Sequence, residues 1–70
     1  MIAVKYFLDG AHLDGWDENL TTMEDFSMAV AADNLIDAEP GQILTAEITV
    51  RDPETGRVSR DDRRSYQIPS

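Results

Sequence analysis

His12, Asp14, Asp17 and Glu18 crowd one short stretch of the chain, with Trp16 among them. An imidazole and three carboxylates are the donor types that take a divalent cation. However, their spacing lacks the alternating ligands and closing glutamate of a calcium loop. His12 is the only histidine, and there is no cysteine. A thiolate zinc site, a multi-histidine site and a disulfide framework are therefore excluded. No serine sits in a glycine elbow, and no glycine motif is shaped to cradle phosphate. These absences predict no catalytic residues, no metal and no cofactor. A binding protein is expected, not an enzyme.

The stronger signal is charge. The chain has 70 residues and a net charge of -8. Residues 1–50 carry ten acids and one base, Lys5, a balance of -9. Residues 51–70 carry four acids and five arginines, a balance of +1. A surface like the first part repels phosphate, so direct binding to nucleic acid or to an anionic membrane is disfavoured. The same field attracts a basic protein surface. Asp14, Asp17, Glu18, Glu24, Asp25 and Asp33 would supply the charge. Trp16 would serve as the anchor, because tryptophan concentrates binding energy at interfaces. Its structural alternative is to fold back over the edge of the core. Acidity also has a plain role in solubility.

The elements that position these residues can be read from periodicity. Ile2, Val4, Tyr6 and Leu8 alternate with Ala3, Lys5 and Phe7, a half-buried strand. Residues 10–20 read as a turn-rich acidic loop, with Asp9-Gly10 and Asp14-Gly15 as turn dipeptides. A short hairpin extending the first strand is an option there. Thr21 with Glu24, or Thr22 with Asp25, forms a capping box for a helix from Met23 to about Asn34. Met23, Phe26 and Val30 share one helical stripe. Pro40-Gly41 stops the helix. Leu44, Ala46, Ile48 and Val50 mark a second strand over 42–52. Asp52-Pro53-Glu54-Thr55-Gly56 reads as a hairpin turn, and a charged edge strand begins near Arg57-Val58, with Tyr66 and Ile68 anchoring its end.

The expectation is a single α+β domain over 1–70, β-α-β-β, with a three-stranded sheet packed on one helix. The helix serves as the crossover between parallel strands. The expected core is Ile2, Val4, Tyr6, Leu8, Phe26, Val30, Leu35, Leu44, Ala46, Ile48 and Val50. A domain this small buries little surface, and a homodimer is one way to add some. The N-terminal apolar run, broken by Lys5, is too short for a signal peptide, and a cytoplasmic location is expected.

In length, lack of cysteine, acidic loop (Asp14-Gly15-Trp16-Asp17-Glu18) and acid-flanked helix (Glu24-Asp25, Asp33, Asp37), the chain resembles small acidic inhibitors of phages and mobile elements. These include anti-CRISPR proteins, uracil-DNA glycosylase inhibitors and other DNA mimics. The resemblance is one of composition and layout, without the Glu-Ser-Ile signature of one glycosylase-inhibitor family. It implies a protein-binding inhibitor that blocks the basic groove of a nucleic-acid-processing enzyme. The arginine-rich last 20 residues depart from that pattern.

Overall fold

A computed structural model describes residues 1–69. Its centre is a pair of antiparallel strands, β1 (Ile2–Leu8) and a strand over Ile43–Arg51. In chain order, two short strands come between them: β2 (Ala11–His12) and β3 (Glu18–Leu20). The Ile43–Arg51 strand is thus β4, and β5 is Val58–Gln67. The sheet has five strands in the order β2-β1-β4-β5, with β3 also pairing β1. Every pairing is antiparallel.

This corrects the three-stranded β-α-β-β expectation. The helix connects β3 to β4, so β1 already has neighbours before the chain reaches the helix. No parallel crossover is needed. The two extra strands come from residues 10–20, read as a turn-rich loop with a short hairpin extending the first strand as an option; that hairpin forms, as β1 with β2. Asp9 (φ 48) and Gly10 (φ 86) both take positive φ. That is the two-residue hairpin turn whose twist matches the strands, and it places Ala11 opposite Leu8. The Asp9 carboxylate also accepts from Ile43 N at 2.9 Å and Gln42 Nε2 at 3.1 Å, tying the turn to β4.

The helix is shorter than its pattern suggested. Residues Met23–Asp25 form only a 3₁₀ turn, and helix α1 runs Met28–Asn34. Thr21 and Glu24 form no capping box; Thr22 Oγ1 lies 3.5 Å from Asp25 Oδ2 on the preceding turn. Ser27 is the cap, its hydroxyl accepting from Val30 N at 3.3 Å. Phe26 is extended (φ -89, ψ 129), which separates the two turns. Starting at Met28 changes which face is buried. Met28, Ala31, Ala32 and Leu35 face the sheet at helical spacing, and Val30 is 59% exposed. Val30 is therefore not a core residue.

The core is otherwise the even face of β1 against β4. Ile2, Val4, Tyr6, Leu44, Ala46 and Ile48 are buried, and Ile68 joins them. Leu8, Phe26, Leu35 and Val50 are half-buried. In the register Tyr6↔Ala46 and Val4↔Ile48, large side chains face small or branched ones. Ala31 and Ala32 let the helix approach closely. The turn after β4 forms as its residues require: Asp52 Oδ1 accepts from Glu54 N at 2.8 Å, and Gly56 takes φ 74. The charged strand β5 lies on the sheet edge. The odd face of the sheet carries no helix, and its half-buried residues are Ala3, Phe7, Thr45, Glu47 and Thr49.

Candidate functional site

β2 and β3 both run along β1, but they do not join smoothly. His12 pairs with Phe7 and Glu18 pairs with Val4. On β1 only Lys5 and Tyr6 lie between those positions, whereas residues 13–17 must fit between them on the other strand. The surplus is thrown out as a 3₁₀ turn, Asp14–Trp16. Leu13 N donates to Tyr6 O at 2.8 Å, fixing where the turn departs. This geometry carries Asp14, Trp16 and Asp17 out of the strand pairing, between the ends of β2 and β3.

Trp16 folds inward from this turn and packs, half-buried, against the core. It lines a groove with Tyr6, Glu18, Asp25, Val30 and Asn34. Leu20, Ser27 and Ala31 complete its wall. Three of the sequence-derived site residues (Trp16, Glu18 and Asp25) therefore meet in one place, from three separate elements. The groove encloses ≈ 160 Å³, below the roughly 300–1,000 Å³ of small-molecule sites.

Glu18 has a structural duty as well. Its Oε1 accepts the Tyr6 hydroxyl at 2.8 Å. Burial, and then the Glu18 hydrogen bond and charge, push the Tyr6 phenol well above its ordinary range. The buried ring thus keeps its proton and its partner.

His12 lies between two carboxylates. Nδ1 is 2.7 Å from Asp14 Oδ1 and Nε2 is 2.9 Å from Asp17 Oδ1. Both contacts are hydrogen bonds only when both ring nitrogens carry hydrogen. The ring stands between the acids and braces the turn, with Phe7 against it at 5.1 Å between centroids. A single ion could not reach both carboxylates and a ring nitrogen in this arrangement. Among the described residues, no three His, Cys, Asp or Glu side chains are gathered to hold a metal.

Glu24 is exposed beside Asp25 on the 3₁₀ turn, and Asp33 is exposed near the end of α1. Neither lines the groove. Val30 and Asn34 were missed as site residues. Val30 was missed because it shares a helical stripe with Phe26, and Asn34 because it was read only as a helix end.

A larger depression, ≈ 550 Å³, lies on the odd face of the sheet. Ala3, Lys5, Glu47, Thr49, Asp61, Asp62 and Arg63 line it. Arg63 pairs there with Glu47 across β4 and β5. On the even face, Asp62 Oδ2 lies 3.6 Å from Arg60 and 3.5 Å from Arg64, and the Arg64 guanidinium sits 5.4 Å from the centre of the Phe26 ring. β5 thus holds its arginines in local pairs, while most acids of the first part of the chain have no cation beside them among the described residues.

No family model, curated protein or solved structure matches this chain. No helix is long and apolar enough to cross a membrane among the described residues.

Proposed function

We propose that this protein is a small acidic inhibitor or modulator, which presents the Trp16 groove and its surrounding carboxylates to a basic protein surface. The observation that carries the reading is the convergence of Trp16, Glu18 and Asp25 on one groove with an exposed apolar lip at Val30. An aromatic wall, an apolar lip and two carboxylates make a receptor for an arginine or lysine side chain. The alkyl stem packs on Trp16 and Val30, and the cationic head meets Glu18 and Asp25. Asp14, Asp17, Glu24 and Asp33 provide the longer-range field that steers the partner in.

A surface of spaced carboxylates can stand in for the phosphates of a nucleic-acid strand. The partner class that fits best is therefore the basic groove of a nucleic-acid-processing enzyme. The test is capture from a cell lysate by wild type and by a Trp16→Ala/Asp25→Lys variant. Retention of a basic nucleic-acid-binding protein by wild type alone supports the reading. Equal retention by both removes the groove from it.

A further inference from the structure

β5 is a long edge strand with its outer side open. At its end, Ile68 N donates to Gln42 O at 2.8 Å and Ile68 O accepts from Gly41 N at 2.9 Å, so the Ile68 backbone faces β4. At the other end, Arg51 N donates to Met1 O, so Arg51 faces β1, and Val50 and its partner Arg60 face each other. Antiparallel strands alternate inward and outward groups. The even residues of β5 therefore bond to β4. Asp61, Arg63, Ser65 and Gln67 direct their N–H and C=O groups to the open edge, where the Arg63 N–H donates to the neighbouring Asp62 Oδ1 at 2.9 Å, an exposed local bond that strand pairing has to replace.

We infer that this edge pairs with the same edge of a second copy, antiparallel, about a two-fold axis through Arg63. Such an axis, normal to the sheet, places residues of equal parity opposite one another. Centred on Arg63, it sets Asp62 of each copy opposite Arg64 of the other and Arg60 opposite Tyr66. Asp61 faces Ser65, and Ser59 faces Gln67. Both Asp62–Arg64 contacts fall at non-hydrogen-bonded positions, where side chains approach most closely. Arg63 meets itself on the axis, but its guanidinium is already bound to Glu47 within its own chain. Neighbouring registers are worse. An axis at Asp62 sets Asp61 opposite Arg63 but opposes Arg60 to Arg64 and Asp62 to itself. An axis at Asp61 sets Arg60 opposite Asp62, but it pairs less of β5 and brings together two Asp61 carboxylates, which have no cation in their own chain among the described residues. An axis at Arg64 opposes two arginines with no acid across from either.

Charge also selects this edge over others. Two copies at -8 repel. β5 carries three arginines and two aspartates (+3 − 2 = +1), so it is the strip where a second copy meets no net negative charge. Charged edges deter unspecific pairing; here the pattern favours the register centred on Arg63, whose like charges on the axis are offset by Glu47. The acidic turn lies at the opposite edge of the sheet, beyond β1. The dimer leaves both Trp16 grooves free at its outer ends and does not depend on what they bind. A single strand pair buries less than the roughly 1,200–2,000 Å² of standard interfaces, so the association is weak.

Sedimentation equilibrium of the full chain up to about 1 mM should show a reversible monomer–dimer equilibrium. Ser65→Pro, which removes only an outward N–H on an edge strand, should leave the far-UV spectrum unchanged and abolish dimer. The chain has no cysteine, so register can be read with single introductions. Arg63→Cys places two thiols about 5.5 Å apart at Cα across the axis, within the roughly 4.4–6.8 Å of disulfides. Ser65→Cys places them about 13 Å apart. At dimer concentrations Arg63→Cys should cross-link at least about tenfold faster than Ser65→Cys. A strict monomer at every concentration, or equal cross-linking of the two variants, overturns the inference.

Discussion

The Tyr6 hydroxyl donates to Glu18 Oε1 at 2.8 Å, across the step between the central strand and the strand that carries the acidic turn. One residue is buried in the core and the other lines the groove. The bond therefore couples the stability of the fold to the shape of the candidate site. Tyr6→Phe should cost about 1 kcal/mol by chemical denaturation, the net worth of a hydrogen bond. It should also change the emission of Trp16, which shares the groove wall.

The same bond makes stability sensitive to alkali. The phenol is raised above its ordinary 10.0 in the folded chain, by burial first and by Glu18 second. The unfolded chain therefore loses this proton first as pH rises. The contribution is fully present below about pH 10 and is lost above it, as pH approaches the folded value, at about 1.4 kcal/mol per pH unit. Unfolding free energies between pH 8 and about 11.5 should show this slope in wild type. Tyr6→Phe should lack that component. Equal slopes in both proteins would remove Tyr6 as its source.

Ser27 holds the start of α1 through a single cap, its hydroxyl accepting from Val30 N. Ser27→Ala should cost about 1 kcal/mol. Thr21→Ala should cost a few tenths of a kcal/mol or less, because Thr21 does not cap the helix. Thermal melts of the two variants separate the observed helix start from the earlier one that the capping-box pattern suggests.

Leu44 is fully buried opposite Leu8 and Tyr66. Leu44→Ala should cost about 2–5 kcal/mol from lost transfer energy and the cavity left behind. In a domain of this size that approaches the whole stability. Urea titration followed by circular dichroism should show a transition shifted to much lower denaturant, or no folded baseline at all.

How far the sequence disclosed the fold depends on what each signal measures. Alternation identified β1 and β4 because both have one buried and one wet face. The Asp52–Gly56 turn was legible because Asp52 and Gly56 have roles that few other residues fill. Asp9-Gly10 marked the turn of the hairpin into β2, but the strand positions within 11–20 were not legible because β2 and β3 are too short to show alternation. They are strands by virtue of pairing with β1, a non-local fact. The helix was placed early because Met23, Phe26 and Val30 have helical spacing, as do Met28, Ala31, Ala32 and Leu35. Only packing against the sheet chooses between these stripes, and it chose the one whose alanines allow close approach. At the site, Trp16 was visible as an aromatic outside the core pattern. Its meeting with Glu18 and Asp25 depends on the surplus residues between β2 and β3, which only the register reveals.

In the proposed role, the acidic groove competes for a surface built to hold nucleic acid. The most direct measurement immobilises the chain, loads it with lysate proteins, and challenges the retained fraction with duplex DNA at fixed ionic strength. Duplex DNA should release the retained protein. Raising salt should release it too, and Trp16→Ala/Asp25→Lys should fail to retain it. Retention that persists in excess duplex DNA and is unchanged in the variant would contradict the proposed role.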